Sequence, residues 1–229
     1  MSDFYYSFFF STYPYICLTV FALGTLIRYD REQYSWRASS SQLLADKGLK
    51  IGNVMFHLGV IFIFFGHLVG LLTPHAVYEH FITAEQKQLL AIVAGGIAGA
   101  IGFIGLTILV FRRLFVARIR ATSSVSDIMV LLIFWVQITL GMITIPFSLS
   151  HHDATLMLNL SEWAQHVVTF RSGAHEYIIG TEWPFQMHLI LGMTIFLLFP
   201  FTRLVHILSA PVKYVWRPYQ VVRSREARR

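Results

Sequence analysis

Hydrophobic and polar positions divide the chain into five long apolar runs, 4–27, 51–72, 88–111, 127–147 and 184–208, each closed by proline, a charge cluster or polar turn residues. A helix needs about 20 apolar residues to cross a hydrocarbon core, and each run supplies them. The pattern predicts an all-α integral membrane protein with five transmembrane helices. It forms a single membrane domain over 1–229, of which 209–229 is a basic tail.

The connections between the runs differ in charge. Residues 28–50 carry five Lys or Arg (Arg28, Arg31, Arg37, Lys47, Lys50), 112–125 carry four (Arg112, Arg113, Arg118, Arg120) and the tail after Leu208 carries six. On the other side, Lys87 stands alone between runs two and three, and Arg171 stands alone in 148–183. Positive charge is retained in the cytoplasm, so the N-terminus is expected outside and the C-terminus inside, as an odd number of spans requires. No Lys or Arg precedes Arg28, and no small-residue cleavage site follows a basic stretch, which reads as a retained first span rather than a signal peptide. In the long outer connection, "LMLNLSEWAQHVVTF" places Leu156, Leu160, Trp163, Ala164 and Val167 on one helical face, predicting an interfacial helix on the outer membrane surface.

Composition narrows the chemistry. With 55% hydrophobic and 13% charged residues and a mean hydropathy of +0.60, the chain is far from an average soluble domain. The single cysteine, Cys17, excludes disulfides, cysteine-ligated iron–sulfur clusters and covalent haem attachment within the chain, so any metal must be held by histidine. The net charge of +6 follows from the basic connections, and no nucleic-acid role is expected. Without a flavin motif or a soluble domain, any large aqueous catalytic apparatus must belong to a partner.

Ten histidines are present. His75, His80, His151, His152, His166 and His175 fall in outer connections, where an imidazole is easily solvated, and read as surface residues. His57 and His67 in run two, and His188 and His206 in run five, lie in apolar surroundings where each needs a partner or a cofactor. Run two leads outward and run five inward, so depth matches His67 with His188 and His57 with His206. Two facing imidazoles at each level suit a non-covalent b-type haem. Zinc wants further protein ligands or an open water position, and no carboxylate or thiolate joins these levels. Hydrogen bonding of each histidine to a neighbouring helix remains an alternative.

A straight helix rises about 1.5 Å per residue, which spaces the run-two histidines by about 15 Å and the run-five histidines by about 27 Å. Pro200 is therefore expected to bend run five. Gly52, Gly59 and Gly66, and Gly192 after His188, leave room either for a flat porphyrin or for close helix packing. Arg203, Arg112 and Arg113 lie at the inner level, suited to haem propionates or to interface anchoring.

Two haems stacked across a bilayer form an electron wire whose lipid-soluble donor would be a quinol. At this point "YPYI", "LIRYD", "QYSWRASSSQ", "FHLGV", "GHLVGLLTPH", "RIRAT", "TIPFS", "WAQHVVTF" and "HLILGMTIFLLFPFTRLVHI" make the chain similar, almost end to end, to the gamma subunit, cytochrome b, of bacterial membrane-bound respiratory nitrate reductases. The resemblance implies a dihaem b cytochrome of the bacterial inner membrane with a periplasmic N-terminus and a cytoplasmic C-terminus. It would oxidise ubiquinol or menaquinol near the outer haem and pass electrons to the inner haem. From there they would go to an iron–sulfur beta subunit and a molybdenum-cofactor alpha subunit, which reduces nitrate to nitrite. The family's ligands fall on His57 and His206 for the inner iron and on His67 and His188 for the outer. Its quinol site falls on Lys87, with Gly66 and His67 beside it. A dihaem cytochrome serving another quinone-linked enzyme, or a histidine-lined metal or proton permease, are the alternative readings.

Overall fold

The computed structural model describes residues 2–36, 47–151, 153–209 and 216–217. Arg37, His152 and most of the basic tail 209–229 lie outside the described residues. Among the described residues, five helices are long and apolar enough to cross a membrane: α1 (Asp3–Arg31), α2 (Leu49–Leu72), α3 (Ala84–Phe115), α4 (Val125–Ser150) and a last span, Trp183–Phe201. Between the last two lies α5 (Thr155–Val168), and the regular part of the last span is α6 (Trp183–Leu198). A π-helical turn, Phe8–Thr12, interrupts α1.

Close packing runs in the order α2 on α3, α3 on α4, α4 on α6 and α6 on α1, with α5 laid against α2 and α3. Most large apolar side chains of the spans face outward, among them Leu58, Phe62, Phe65 and Ile104. That arrangement would be ruinous in water and suits lipid. The tightest seam joins α2 to α3. A Cβ on Gly59 would stand 2.6 Å from the Cα of Gly102, and one on Gly52 would stand 3.1 Å from the carbonyl oxygen of Gly105. Small residues let two backbones meet where side chains would hold them apart. Of the two readings of these glycines, helix packing therefore explains Gly52 and Gly59.

Helix α3 begins four residues before the apolar run does, because Thr83 and Gln86 close a capping box. The Gln86 N–H donates to Thr83 Oγ1 at 3.3 Å, and the Thr83 N–H donates to Gln86 Oε1 at 3.0 Å. Two expectations need correction. The apolar face of α5 meets protein rather than lipid: Trp163, Ala164 and Val167 join Phe10, Ala174 and Ile178 in a core cluster. The Trp163 indole N–H also donates to the carbonyl of Phe10 at 2.8 Å. The fifth run is not one helix to residue 208. It leaves α geometry after Leu198, passes through a 3₁₀ turn at Phe199–Phe201, extends at Thr202 and resumes as a 3₁₀ segment, Arg203–Ser209.

Pro200 cannot donate into a helix ladder and its ring clashes with the preceding turn. The carbonyls that the break exposes are taken up by α1. Arg28 Nη1 donates to Pro200 O at 2.6 Å and to Thr202 O at 2.8 Å. Gly24, one turn earlier on the same face of α1, admits the Pro200 ring, since a Cβ there would lie 2.8 Å from Pro200 Cγ. Arg28, legible in the sequence only as a topology charge, thus holds the break together.

Candidate functional site

The four histidines of the apolar runs share one habit. His57 Nδ1 lies 2.8 Å from the carbonyl oxygen of Asn53, His67 Nδ1 2.8 Å from that of Ile63, and His206 Nδ1 against that of Arg203. His188 Nδ1 lies 3.2 Å from the carbonyl oxygen of Gln137. A carbonyl can only accept, so in each bond Nδ1 carries the proton and Nε2 keeps its lone pair. This is the tautomer that a metal ligand needs, with the second ring nitrogen anchored. His151 and His166 make the same bond to their own helices, so the bond alone does not mark a ligand. What sets the four apart is that they lie in the apolar runs, and that two of them, His67 and His188, meet ring to ring.

His67 on α2 and His188 on α6 face each other with ring centroids 6.1 Å apart and planes inclined by 39°. Helices α2 and α6 do not pack closely on each other, so the rings reach across the space between them. At the other level, His57 bears electrostatically on His206. The break after Leu198 removes the straight-helix spacing that would otherwise separate the run-five histidines by about 27 Å.

The two facing rings are held differently. His67 is anchored by its own helix alone, whereas His188 is gripped by α4. There, Gln137 Nε2 donates to the backbone oxygen of His188 at 3.1 Å, and a Cβ on Gly141 would touch His188 Cε1 at 3.0 Å. A Cβ on Gly192 would meet the Gln137 amide at 3.2 Å, so this glycine makes room for that amide. Sequence reasoning passed over Gln137 and Gly141. The available signal was that Gln137 is the only amide in run 127–147.

The His206 level is rich in guanidinium. Asp127 stands between Arg113, 3.9 Å away, and Arg203, 3.5 Å away, while Arg113 also donates to Ser123 Oγ at 2.8 Å. Arg112 is buried, and its Nε donates to the carbonyl oxygen of Lys47 at 2.8 Å. One carboxylate among these arginines leaves the level positive.

At the opposite end of the bundle, Lys87 lies in the first turns of α3 and is only 6% exposed. Its ammonium sits over the Tyr78 ring, 3.7 Å from the centroid, and Nζ is buried with no hydrogen-bond partner among the described residues. A lysine snorkelling at a span end would carry its charge to water, and this one does not. Tyr78 was not singled out from the sequence, where it lies unmarked in "HAVYEH". Gly66 faces open space, with no heavy atom beyond its own surroundings within 4 Å of where its Cβ would stand. Lys87 and Gly66 are therefore not brought into contact. The outer-connection histidines find local partners: His75 with Glu79 at 2.9 Å, His151 with Glu182 at 3.3 Å, His166 with Glu162 at 3.7 Å and His175 with Ser11 at 3.1 Å. Among the described residues, no three of His, Cys, Asp and Glu converge as a metal site.

The sequence model of the family described as "Nitrate reductase gamma subunit" matches residues 6–225. The chain is 54% identical over 218 residues to the respiratory nitrate reductase 2 gamma chain of Escherichia coli (strain K12), an alignment covering 95% of this chain and 96% of that one. It is 50% identical to the respiratory nitrate reductase 1 gamma chain of the same organism, over 95% of this chain and 97% of the other. It is 39% identical to the nitrate reductase gamma chain of Bacillus subtilis (strain 168), over 93% and 95%.

Proposed function

The chain belongs to the nitrate reductase gamma subunit family, and from that premise we propose that it is the dihaem cytochrome b of a respiratory nitrate reductase. In this reading it oxidises quinol at the periplasmic side of the bacterial inner membrane. It delivers the electrons to cytoplasmic iron–sulfur and molybdenum-cofactor subunits, which reduce nitrate to nitrite. The single membrane domain then has its N-terminus outside, and the tail 209–229 offers a basic docking surface inside.

The observation that carries the reading is the His67–His188 pair: two imidazoles from separate helices, ring centroids 6.1 Å apart, each with Nδ1 anchored. Two imidazoles do not complete a tetrahedral zinc site, whereas a non-covalent haem would ask no further ligand of the chain. His67 and His188 would hold the outer haem, and His57 and His206 the inner. Haem, when bound, supplies a one-electron carrier at each depth.

The rest of the work falls to the chain's own side chains. Lys87 Nζ, buried and without a hydrogen-bond partner, offers a donor to a quinol oxygen. Gly66, beside His67 and facing open space, leaves a flat ring room to approach. Quinol oxidised here gives up two electrons inward and two protons outward, separating charge without carrying a proton across the chain. The arginines around Asp127 give anionic propionates a positive level to meet.

A reduced-minus-oxidised spectrum with haem quantification tests this reading on the purified complex. Two b haems per chain are expected, with His67→Ala and His188→Ala removing the same one and His57→Ala and His206→Ala the other. A chain without haem overturns it.

A further inference from the structure

Of the four histidines, three anchor Nδ1 on a carbonyl of their own segment, three or four residues back. His188 alone uses a carbonyl from another helix, that of Gln137 on α4. Its orientation is therefore set by how α4 and α6 pack, which local helix geometry cannot guarantee.

Gln137 grips His188 at three points. Its backbone oxygen accepts from Nδ1 at 3.2 Å, and its amide Nε2 donates to the His188 backbone oxygen at 3.1 Å. The same amide lies 3.5 Å from ring Nε2. The contact to the His188 oxygen decides which end of the amide is which, since swapping the ends would set oxygen against oxygen. An amide NH₂ can only donate, so both ring contacts select the tautomer with the proton on Nδ1 and the lone pair on Nε2. Gly141, one turn along α4, leaves room for the ring's Cε1 edge, and Gly192, one turn along α6, clears space for the amide.

We propose that Gln137 is the positioning residue for the outer haem ligand His188: it fixes the ring's tautomer and rotation across the α4–α6 seam and so tunes the reduction potential of the outer haem. The proposal rests on His188 being a haem ligand. A hydrogen bond from Nδ1 to a carbonyl makes the imidazole more basic and favours the ferric state. Loosening the grip weakens that bond and raises the potential. Once Nε2 is ligated it has no lone pair for the amide, so the two backbone contacts are the ones that persist.

Gln137→Met keeps the side chain's length and removes its donor, and Gly141→Ala presses on Cε1 from a different point. Both are to be made in the intact complex, with potentiometric titration of the b-haem absorbance and electron paramagnetic resonance of the ferric haems. The outer haem is the one missing from His67→Ala. In both variants the outer haem's midpoint rises and its ferric signal moves, or that haem alone is lost, while the inner haem is unchanged. Should Gln137→Met not accumulate, Gly192→Ala, whose Cβ would displace the Gln137 amide it meets at 3.2 Å, gives the same reading. Wild-type protein without haem overturns the proposed function itself. Two haems in the wild type, with an unshifted outer haem or an equal shift of both in the variants, overturns the role of Gln137.

Discussion

Replacing Gly59 with alanine puts a methyl group where two backbones meet. The new Cβ would stand 2.6 Å from both Cα and N of Gly102 and 2.7 Å from the carbonyl oxygen of Ala98. Carbon atoms rest at about 3.5–4.0 Å, so α2 and α3 must part by about 1 Å. Every neighbour in the clash is backbone, and none can rotate away as a side chain would. The strain also reaches the Gly52–Gly105 contact two turns along, which holds the same seam. Overpacking of this kind costs about 1–3 kcal/mol, with the rigid backbone placing this case near the top, and alanine's helix propensity returns about 1 kcal/mol. A net loss of about 2 kcal/mol is expected. Gly95→Ala is the control, because nothing lies within 4 Å of its Cβ position on α3, the other helix of the seam. Thermal unfolding of the detergent-solubilised protein should show Gly59→Ala melting several degrees below wild type and Gly95→Ala at or above it. Equal melting of the two variants, or Gly59→Ala as stable as wild type, would refute the backbone seam.

Arg28→Met should free the break in the last span, because Pro200 O and Thr202 O lose a charged donor at 2.6 and 2.8 Å, each such bond being worth about 1.5–3 kcal/mol. Amide exchange over residues 199–209 should quicken while the α2–α3 seam stays protected, and unchanged exchange there would show that Arg28 does not hold the break. The pairing of His151 with Glu182 at 3.3 Å ties the end of α4 to the start of α6. The bond to the carbonyl of Phe147, and then the Glu182 carboxylate, hold the His151 imidazole above its usual pKa. A group raised in the fold favours the fold below its unfolded value of about 6.5 and loses that contribution as pH rises through the folded value. His151→Gln should flatten stability against pH in that window and leave it unchanged in alkaline solution, and a slope equal to wild type's would count against the tie.

Helix count and the depth of each histidine are one-dimensional quantities, and the chain states them openly. Apolar runs long enough to cross lipid, the uneven distribution of Lys and Arg, and imidazoles at two depths can all be read without knowing how one helix meets another. The resemblance to a known family was equally legible, because it is carried by strings of residues. What the runs could not show was decided by packing. Glycines that suit a flat ligand and glycines that suit a close helix look the same in sequence. Gly59 meets Gly102 whereas Gly66 faces open space, and only the α2–α3 seam separates them. The apolar stripe of α5 suits lipid or protein equally, and Phe10, more than 150 residues away, is what covers it. The break after Leu198 needed Arg28 of α1 to donate to its carbonyls. The hold on His188 needed Gln137 of α4, an amide whose place in the run carried no sign of which ring it would meet. Each of these depends on atoms distant in sequence and close in space, which periodicity along a single helix does not encode.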